Sequence, residues 1–469
     1  MPVLPTVPIP PLFLDRMSHF LGDEFPAFAE SLNAAPRSGL RINTLKLTKE
    51  QFQKITPFVL GEPVTWASSA FLMEGEEKPG KHPYHQAGLY YLQDPSAMSP
   101  AELLAPQPGE RVLDLAAAPG GKTTQLAALM QGRGLLVANE IKTKRVGHLV
   151  QNMERWGAGN VVIANESPEN LADHFGAYFD RVLVDAPCSG EGMFRKDIGA
   201  RADWSLEMVH GCAARQVNIL RVAGKLVRPG GFLLYSTCTF APEENEGVIA
   251  AFLGEFKDFE VAGLSHYAGF MAGRPDWLDG NDAPQLEGAV RLFPHRVEGE
   301  GHFACCLRRK AGKVSEQVGD KQLARLSRTQ SGYWQEFCSK TIQADLDDDR
   351  LRVVGDRLYY IPVEMPDFGW LRVIHPGVWL GLFKKDRFEP AHPLALYFKQ
   401  DDNFKSVSLP AGSPGLSAYL RGESIPGAES GWAIICVDGF PLGWSKGVQG
   451  TLKNHYPRGW ILPGMSSLE

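Results

Sequence analysis

Arg111-Val112-Leu113-Asp114-Leu115-Ala116-Ala117-Ala118-Pro119-Gly120-Gly121-Lys122-Thr123 is the stretch that decides the fold. Arg111–Leu115 is a short apolar run and predicts a strand; the glycines behind it predict a tight turn, and Thr123–Met130 predicts a helix. A strand, a glycine turn and a helix N-terminus form a site for a polar or anionic cofactor group, because the first N–H groups of the helix point outward without partners. Ala116-x-x-x-x-Gly121-Lys122-Thr123 nearly meets the phosphate-loop pattern, with alanine where the first glycine usually sits. Val182–Asp185 can pass for the companion strand that ends in a magnesium-binding Asp. Pro119 argues the other way, since it removes one of the N–H groups such a cradle relies on. On local pattern alone, NTP hydrolysis and a different nucleotide-type cofactor both remain open.

Working outward, residues from about 100 to 310 alternate strand and helix. Apolar runs at Leu135–Asn139, Asn160–Ala164, Asp180–Val184 and Gly231–Ser236 are separated by helical stretches such as Lys142–Trp156 and Ala213–Val227. This rhythm predicts an α/β domain with a mostly parallel, doubly wound sheet, whose right-handed crossovers line up the C-terminal ends of the strands on one edge. Ligands bind at that edge. The chemically interesting residues fall there: the glycine loop, Glu140, Asn165 and Glu166, Asp185 to Cys188, and Cys238. Glu140 stands about twenty residues past the loop, where an acid accepts hydrogen bonds from ribose hydroxyls. Phe303–Arg309 reads as a last strand.

The remainder of the chain supplies smaller units. Up to about residue 95, Phe13, Met17, Phe20 and Leu21 recur at helical spacing, Arg37–Lys46 is basic and strand-like, and Asp94 or Ser96 caps a following helix. Arg308–Arg328 reads as a polar linker. The C-terminal part carries short strands broken by Gly and Pro, around Trp379–Phe388 and Gly439–Lys446, and predicts a β-rich unit.

A chain of 469 residues implies two to four domains. The hydrophobic share of 44% and charged share of 22% are those of a soluble globular protein. The proline-rich opening Met1–Pro11 lacks the basic start and apolar run of a secretory signal, and no apolar stretch is long enough to span a bilayer. Seven cysteines without Cys-x-x-Cys spacing suggest neither a disulfide framework nor zinc, so no metal is expected and a reducing cytoplasm fits. The net charge of −6 does not announce nucleic-acid binding, which follows local patches rather than totals.

The cysteines narrow the chemistry. Cys305, Cys306 and Cys436 lie in apolar runs and read as core, and Cys212 and Cys338 as helix or core residues. Cys238 ends a strand just before Pro242-Glu243-Glu244-Asn245-Glu246, a block that opens a helix whose N-terminus favours thiolate. Cys188 follows Pro187 in a loop with glycines at 190 and 192. Asp185 precedes that loop and could hydrogen-bond a base ring or assist its protonation, and Lys122 could interact with Asp185 or with the substrate. Arg195 and Lys196 can hold a phosphate or form a surface ion pair. Two thiols and a carboxylate beside a cofactor loop suit methylation of a pyrimidine: thiolate addition at carbon 6 makes carbon 5 electron-rich, and a base later removes its proton. The residues do not say which thiol attacks.

At Ala117–Thr123, Asp185-Ala186-Pro187-Cys188-Ser189-Gly190-Glu191-Gly192 and Tyr235-Ser236-Thr237-Cys238-Thr239 the sequence resembles the Sun/RsmF family of RNA cytosine-5 methyltransferases. Arg41-Ile42-Asn43-Thr44, Gln93-Asp94-Pro95-Ser96 and Glu243–Glu246 also look like family blocks, and Lys385–Pro390 and Lys453–Pro457 look like the RsmF branch. The resemblance implies a Rossmann-like, S-adenosylmethionine-dependent catalytic domain over 96–310 and an N-terminal RNA-binding unit over 1–95. It further implies a linker with a small α+β domain over 311–375 and a PUA-like RNA-binding domain over 376–469. It makes Cys238 the nucleophile and Cys188 the cysteine that helps release the product. It assigns Ala117, Ala118, Pro119, Gly120, Gly121 and Lys122 to the cofactor loop, Glu140 to ribose, and Asp185 to both cofactor edge and base. The sequence departs from the family after the third strand, where many relatives carry an Asp near the adenine; here Glu166 or Ser167 takes that place. The implied substrate is ribosomal RNA or the small subunit, with tRNA as the near alternative and a non-catalytic RNA-binding protein as a distant one, and a cytoplasmic monomer is expected. Flipping a base out of its stack to reach such a site is easier in folded RNA. Lys384, Lys385, Arg387, Lys446, Lys453 and Arg458, interleaved with Phe388, Trp444 and Tyr456, read as an RNA-gripping mixture or as a solvated face over a core.

Overall fold

The computed structural model describes residues 7–75, 77–278, 283–313, 318–319, 323–343 and 346–461. The first six residues of the proline-rich opening, parts of the stretch read as a linker, and 462–469 lie outside the described residues.

The N-terminal segment forms α1 (Pro11–Leu21), α2 (Phe25–Ser31), β1 (Gly39–Ile42), α3 (Lys49–Ile55), β2 (Leu60–Pro63), β3 (Ala70–Met73), α4 (Pro83–Gln86) and β4 (Tyr90–Gln93). Its strands make a small sheet in the order β2-β3-β1-β4. The helical spacing of Phe13, Met17 and Leu21 puts all three on the buried side of α1. That side does not face the small sheet. It packs with Phe28 of α2 against Phe194, Trp204, Phe240 and Phe293, beside the cysteine loops. Of the two expected caps after β4, Asp94 accepts the Ala97 N–H at 3.2 Å.

The central region runs α5 (Ser99–Leu104), β5 (Arg111–Asp114), α6 (Gly121–Leu129), β6 (Leu135–Asn139), α7 (Thr143–Trp156), β7 (Val161–Ala164), α8 (Pro168–Phe175) and β8 (Phe179–Asp185). It continues through α9 (Ile198–Asp203), α10 (Leu206–Leu226), β9 (Val227–Thr237), α11 (Glu246–Glu255), β10 (Phe259–Ala262), β11 (Met271–Ala272), β12 (Val290–Leu292) and β13 (His302–Arg309). Strands β7-β6-β5-β8-β9 are parallel neighbours. The order reverses between β5 and β8, which opens a crevice at their C-terminal ends. Neighbouring residues of a strand feed opposite cores: Val112 and Leu183 one, Leu113 and Val182 the other. A sheet covered on both faces needs such continuous apolar runs, which is why the strands are legible as runs rather than as alternation.

The C-terminal part forms α12 (Arg328–Thr341), β14 (Leu351–Val354), β15 (Arg357–Tyr360), β16 (Val373–His375), β17 (Val378–Phe383), β18 (Phe388–Pro390) and α13 (His392–Tyr397). Then follow β19 (Ser406–Leu409), α14 (Pro414–Leu420), β20 (Ile425–Pro426), β21 (Gly431–Val437), β22 (Phe440–Val448) and β23 (Thr451–Asn454). Two small sheets, β14-β15-β17-β18 and β19-β21-β22-β23-β20, carry the expected β-rich character. Two attachments were not legible in the sequence. Strand β16 joins the central sheet antiparallel to β7, at its far edge. One hydrophobic core is shared between the small N-terminal sheet, through Ile42, Phe71 and Tyr90, and the last β unit, through Tyr419, Ile435 and Leu442. No helix among the described residues is long and apolar enough to cross a membrane.

Candidate active site

The glycine loop between β5 and α6 is shaped by its own backbone and held from two sides. Gly120 takes φ +112°, a left-handed conformation that favours glycine. Asn152 of α7 donates to the Pro119 carbonyl at 2.8 Å. From the N-terminal sheet, the fully buried Arg41 donates to the Gly121 carbonyl at 2.8 Å and to Thr124 Oγ1 at 2.7 Å. Arg41 and Asn43, quoted above only as a family block, are thus clasps: Asn43 donates to the carbonyl of Trp156 at the end of α7.

In front of the loop lies a cavity of about 230 Å³, lined by Ala116 to Pro119, Gly121, Lys122, Asp114 and Asp185, and closed by Tyr91, Gln93 and Ala97. Lys122 Nζ donates to Asp185 Oδ2 at 2.7 Å, and Ser236 Oγ donates to Oδ1 at 2.9 Å. His302 of β13 stands 3.7 Å from Oδ1. Burial alone would push the Asp185 carboxyl up. The Lys122 ammonium and the His302 ring outweigh it and hold the carboxyl well below the usual range. For Lys122 burial pulls downward, Asp185 overrides it, and the net shift is upward. The pair is charged on both sides. Asp114 is different: burial pushes it up to about 7, against the Thr123 hydroxyl that donates to it at 2.7 Å. Its other oxygen is buried without a hydrogen-bond partner among the described residues.

Both cysteines reach the same end of the sheet. Cys238 follows β9 and Cys188 follows β8; both are half-buried free thiols, with Sγ atoms 3.3 Å apart. Gly192 N–H donates to the Cys238 carbonyl at 2.9 Å, and a Cβ on Gly192 would lie 2.9 Å from that oxygen, so the close approach of the two loops requires glycine. The hydrogen bond to Cys238, then burial, push the Cys188 thiol well above its ordinary value. Either sulfur can donate across this contact, and the raised Cys188 thiol gives up its proton less readily than a free cysteine. The block Pro242–Asn245 forms a turn and α11 starts at Glu246; Asn245 ties it to the cysteine strand by accepting from Thr237 Oγ1 and donating to the Thr239 carbonyl.

The remaining site candidates already have protein partners. Glu140 is buried at the end of β6; Oε1 accepts the Lys142 N–H at 2.8 Å, and Arg145 stands 3.2 Å from Oε2 without hydrogen-bond geometry. Glu166 Oε1 accepts the Arg372 N–H at 2.6 Å, and Oε2 accepts from Asn170 Nδ2 at 2.7 Å. Ser167 caps α8 by accepting the Asn170 N–H. Arg195 is not open to a phosphate: it is buried against Glu300 at 2.6 Å, and Lys196 pairs with Asp94 and Glu300. No group of three or more His, Cys, Asp and Glu side chains among the described residues could hold a metal ion.

Comparison with known proteins adds the family. The model of the 16S rRNA methyltransferase RsmB/F family matches residues 101–308. Models of the RsmF N-terminal domain, first C-terminal domain and PUA domain match 9–95, 336–398 and 407–462. The ribosomal RNA small subunit methyltransferase F of Erwinia tasmaniensis is 32% identical over 481 residues, covering 97% of each chain. That of Shewanella oneidensis is 32% identical over 96% of this chain and 97% of its own. The chain belongs to the RsmB/F family. A solved methyltransferase homologue from Pyrococcus horikoshii superimposes on it with a TM-score of 0.58 and 31% identity, over 65% of this chain and 96% of that one.

In this RsmB/F chain the glycine loop is that of a Rossmann-like methyltransferase, not the phosphate loop of an NTPase. Ser236, His302, Asp114, Tyr91 and Gln93 join the site only through the fold. Ser236 and Gln93 lie inside quoted blocks, but nothing local reveals what they face. The RNA-gripping mixture needs correction: Phe388, Trp444 and Tyr456 are buried and cannot stack on bases. They belong to the cores of the small sheets, leaving exposed cations such as Lys384, Lys385 and Lys453 above them.

Proposed function

We propose that this chain methylates carbon 5 of a cytosine in small-subunit 16S ribosomal RNA, using S-adenosylmethionine and a covalent Cys238–carbon 6 adduct. The observation that carries the reading is the pair of thiols 3.3 Å apart, next to the charged Lys122–Asp185 pair at the mouth of the glycine loop. The names of the relatives support the RNA class.

The residues present fit the cofactor. Ala117 to Lys122 form the loop against which it would lie, and Glu140 supplies a buried carboxylate for ribose. The unpartnered oxygen of Asp114 offers an acceptor for an ammonium group. Glu166 and Ser167 stand at the adenine end and act there through the backbone they position. When bound, S-adenosylmethionine supplies a methyl group on a sulfonium centre.

The Cys238 thiolate adds to carbon 6 and loads electron density onto carbon 5. Once carbon 5 carries the methyl group, water in the open site takes the carbon-5 proton as base, the C–H electron pair forms the carbon 5–carbon 6 double bond, and the C–S pair returns to the Cys238 sulfur as that bond breaks. With its sulfur 3.3 Å away and its thiol raised, Cys188 can donate a hydrogen bond to the departing Cys238 sulfur and stabilise the thiolate as a leaving group. Asp185, held charged by Lys122, gives the pocket an acceptor for the exocyclic amine or a protonated ring nitrogen. Residues 1–95 and 376–469 grip RNA around a catalytic unit of 96–310.

The test is a denaturing gel of the Cys188→Ala protein after incubation with S-adenosylmethionine and unmodified 16S RNA or small subunits. A covalent protein–RNA band that disappears in the Cys188→Ala, Cys238→Ala double variant is expected. A band that needs Cys188 and survives Cys238→Ala reverses the roles, and a band with tRNA alone moves the substrate.

A further inference from the structure

The release step assigned to Cys188 depends on a loop, Pro187–Gly190, that belongs to no strand or helix. What holds it is a bracket behind the loop. Gln216 of α10, fully buried, donates through Nε2 to the Pro187 carbonyl at 3.0 Å and to Glu244 Oε2 at 2.8 Å. The same Glu244 oxygen accepts the Ser189 N–H at 3.0 Å. The residues on either side of Cys188 are thus anchored to one carboxylate oxygen, directly or through one amide.

Glu244 is itself pinned from behind, since Tyr235 donates its hydroxyl to the Glu244 carbonyl at 2.6 Å. It is fully buried and forms no salt bridge among the described residues. Burial pushes its carboxyl up to about 7, against the Ser189 and Gln216 bonds, with Glu191 adding to the upward shift. A buried carboxylate without a cation is unfavourable unless its acceptors are needed. The other oxygen, Oε1, has no hydrogen-bond partner among the described residues, so the group's visible contribution is the two bonds to Oε2.

We propose that Glu244, acting with Gln216, is a positioning residue for product release: it holds Cys188 against Cys238 and contributes by accepting hydrogen bonds, not by its charge. It touches neither substrate nor cofactor. The inference rests on the release role given to Cys188 above, and it predicts a particular defect. Loosening the bracket lets Cys188 drift from the Cys238 sulfur while Cys238, on its own strand end, still attacks. The protein then stalls as its covalent RNA adduct.

Because both bonds land on one oxygen, glutamine can replace glutamate: an amide oxygen also has two lone pairs. Alanine cannot. The experiment uses the full-length protein with S-adenosylmethionine and unmodified 16S RNA, quantifying the adduct on a denaturing gel for wild type, Cys188→Ala, Glu244→Ala, Glu244→Gln and Gln216→Met. Adduct in Glu244→Ala is expected to rise by about tenfold or more over wild type, since ångström-scale misplacement of a catalytic group carries penalties of that order. Glu244→Gln is expected to return it close to the wild-type level. Gln216→Met, which keeps the volume and removes the amide, is expected to accumulate adduct as well, and it decides the matter if Glu244→Ala does not fold. Adduct at or below the wild-type level in both bracket variants, with a strong band in Cys188→Ala, overturns the inference and leaves the function reading intact. Equal adduct in Glu244→Gln and Glu244→Ala also overturns it, because accepting hydrogen bonds would then not be the residue's contribution. No band in Cys188→Ala removes the reading underneath, and the inference with it.

Discussion

At the β8–β9 end of the sheet edge, Cys188 and Cys238 face each other and Asp185 faces Lys122 across the mouth of the cavity. At the β6–β7 end, the corresponding acids face their own protein: Glu140 holds the Lys142 N–H, Glu166 holds the backbone of Arg372, and Ser167 caps a helix. The first end is preorganised, with reacting groups fixed by rigid strand ends and by loops in close contact. The second end doubles as an attachment point, where β16 and Arg372 fasten the C-terminal half to the sheet. On the proposed function, chemistry and assembly separate along one edge, so variants at the two ends should fail differently.

The largest effect is expected from Cys238→Ala. Loss of the nucleophile should lower methyl transfer to RNA by about a thousandfold or more while S-adenosylmethionine affinity by calorimetry stays at the wild-type value. A matching loss of cofactor affinity would break the separation. Next comes Lys122→Met, which removes the cation from Asp185 at the thiol end. Stranding Asp185, a third exposed and still held by Ser236, should destabilise the fold by about 1–2 kcal/mol in urea unfolding. Combining it with Asp185→Asn should recover most of that loss.

The attachment end has its own signature. Burial pushes Glu154 of α7 up to about 7; it lies 3.6 Å from His375 of β16, whose ring burial holds at about 4 and hence neutral. A carboxyl whose folded pKa is raised binds more protons folded than unfolded. Its contribution is therefore unpenalised below about 4.5 and becomes increasingly unfavourable as pH rises through 7. Glu154→Gln should raise stability relative to wild type by up to about 2–3 kcal/mol at pH 8, shrinking toward pH 5, with little change in adduct chemistry. A pH-independent difference would show that Glu154 does not titrate this way. The smallest effects concern ribose. Glu140→Ala should weaken S-adenosylmethionine binding by about tenfold, the scale of a charge-assisted hydrogen bond. Arg145→Ala should weaken it by about threefold, because its ion pair to Glu140 is weak but it also donates to the Ala118 carbonyl of the cofactor loop.

Much of the preorganised end is legible in the sequence. Parallel strands joined by right-handed crossovers bring their C-terminal ends together, so Asp185, Cys188 and Cys238 had to share an edge once the strands were recognised. The 3.3 Å approach of the sulfurs was not legible, since it depends on Gly192 meeting the Cys238 carbonyl and on a bracket from α10 and the turn before α11. The attachment end was hidden for a plainer reason: Glu166 takes as its partner the backbone of Arg372, 206 residues away, and backbone N–H groups carry no sequence signal. Arg195 likewise looked available until Glu300 arrived beside it. The aromatics Phe388 and Trp444 are ambiguous because an aromatic in a short strand reads the same whether it fills a core or offers a stacking face, and Tyr456 just past the last strand is no clearer.

The sequence by itself determined the strand–glycine turn–helix unit, the parallel order of runs and the edge on which the thiols lie, because these follow from local sterics, apolar periodicity and the handedness of crossovers. Only the tertiary structure decided which partner each charged or polar group takes. Hydrogen bonds and ion pairs form between groups brought within about 3 Å by packing, and sequence separation says nothing about that distance.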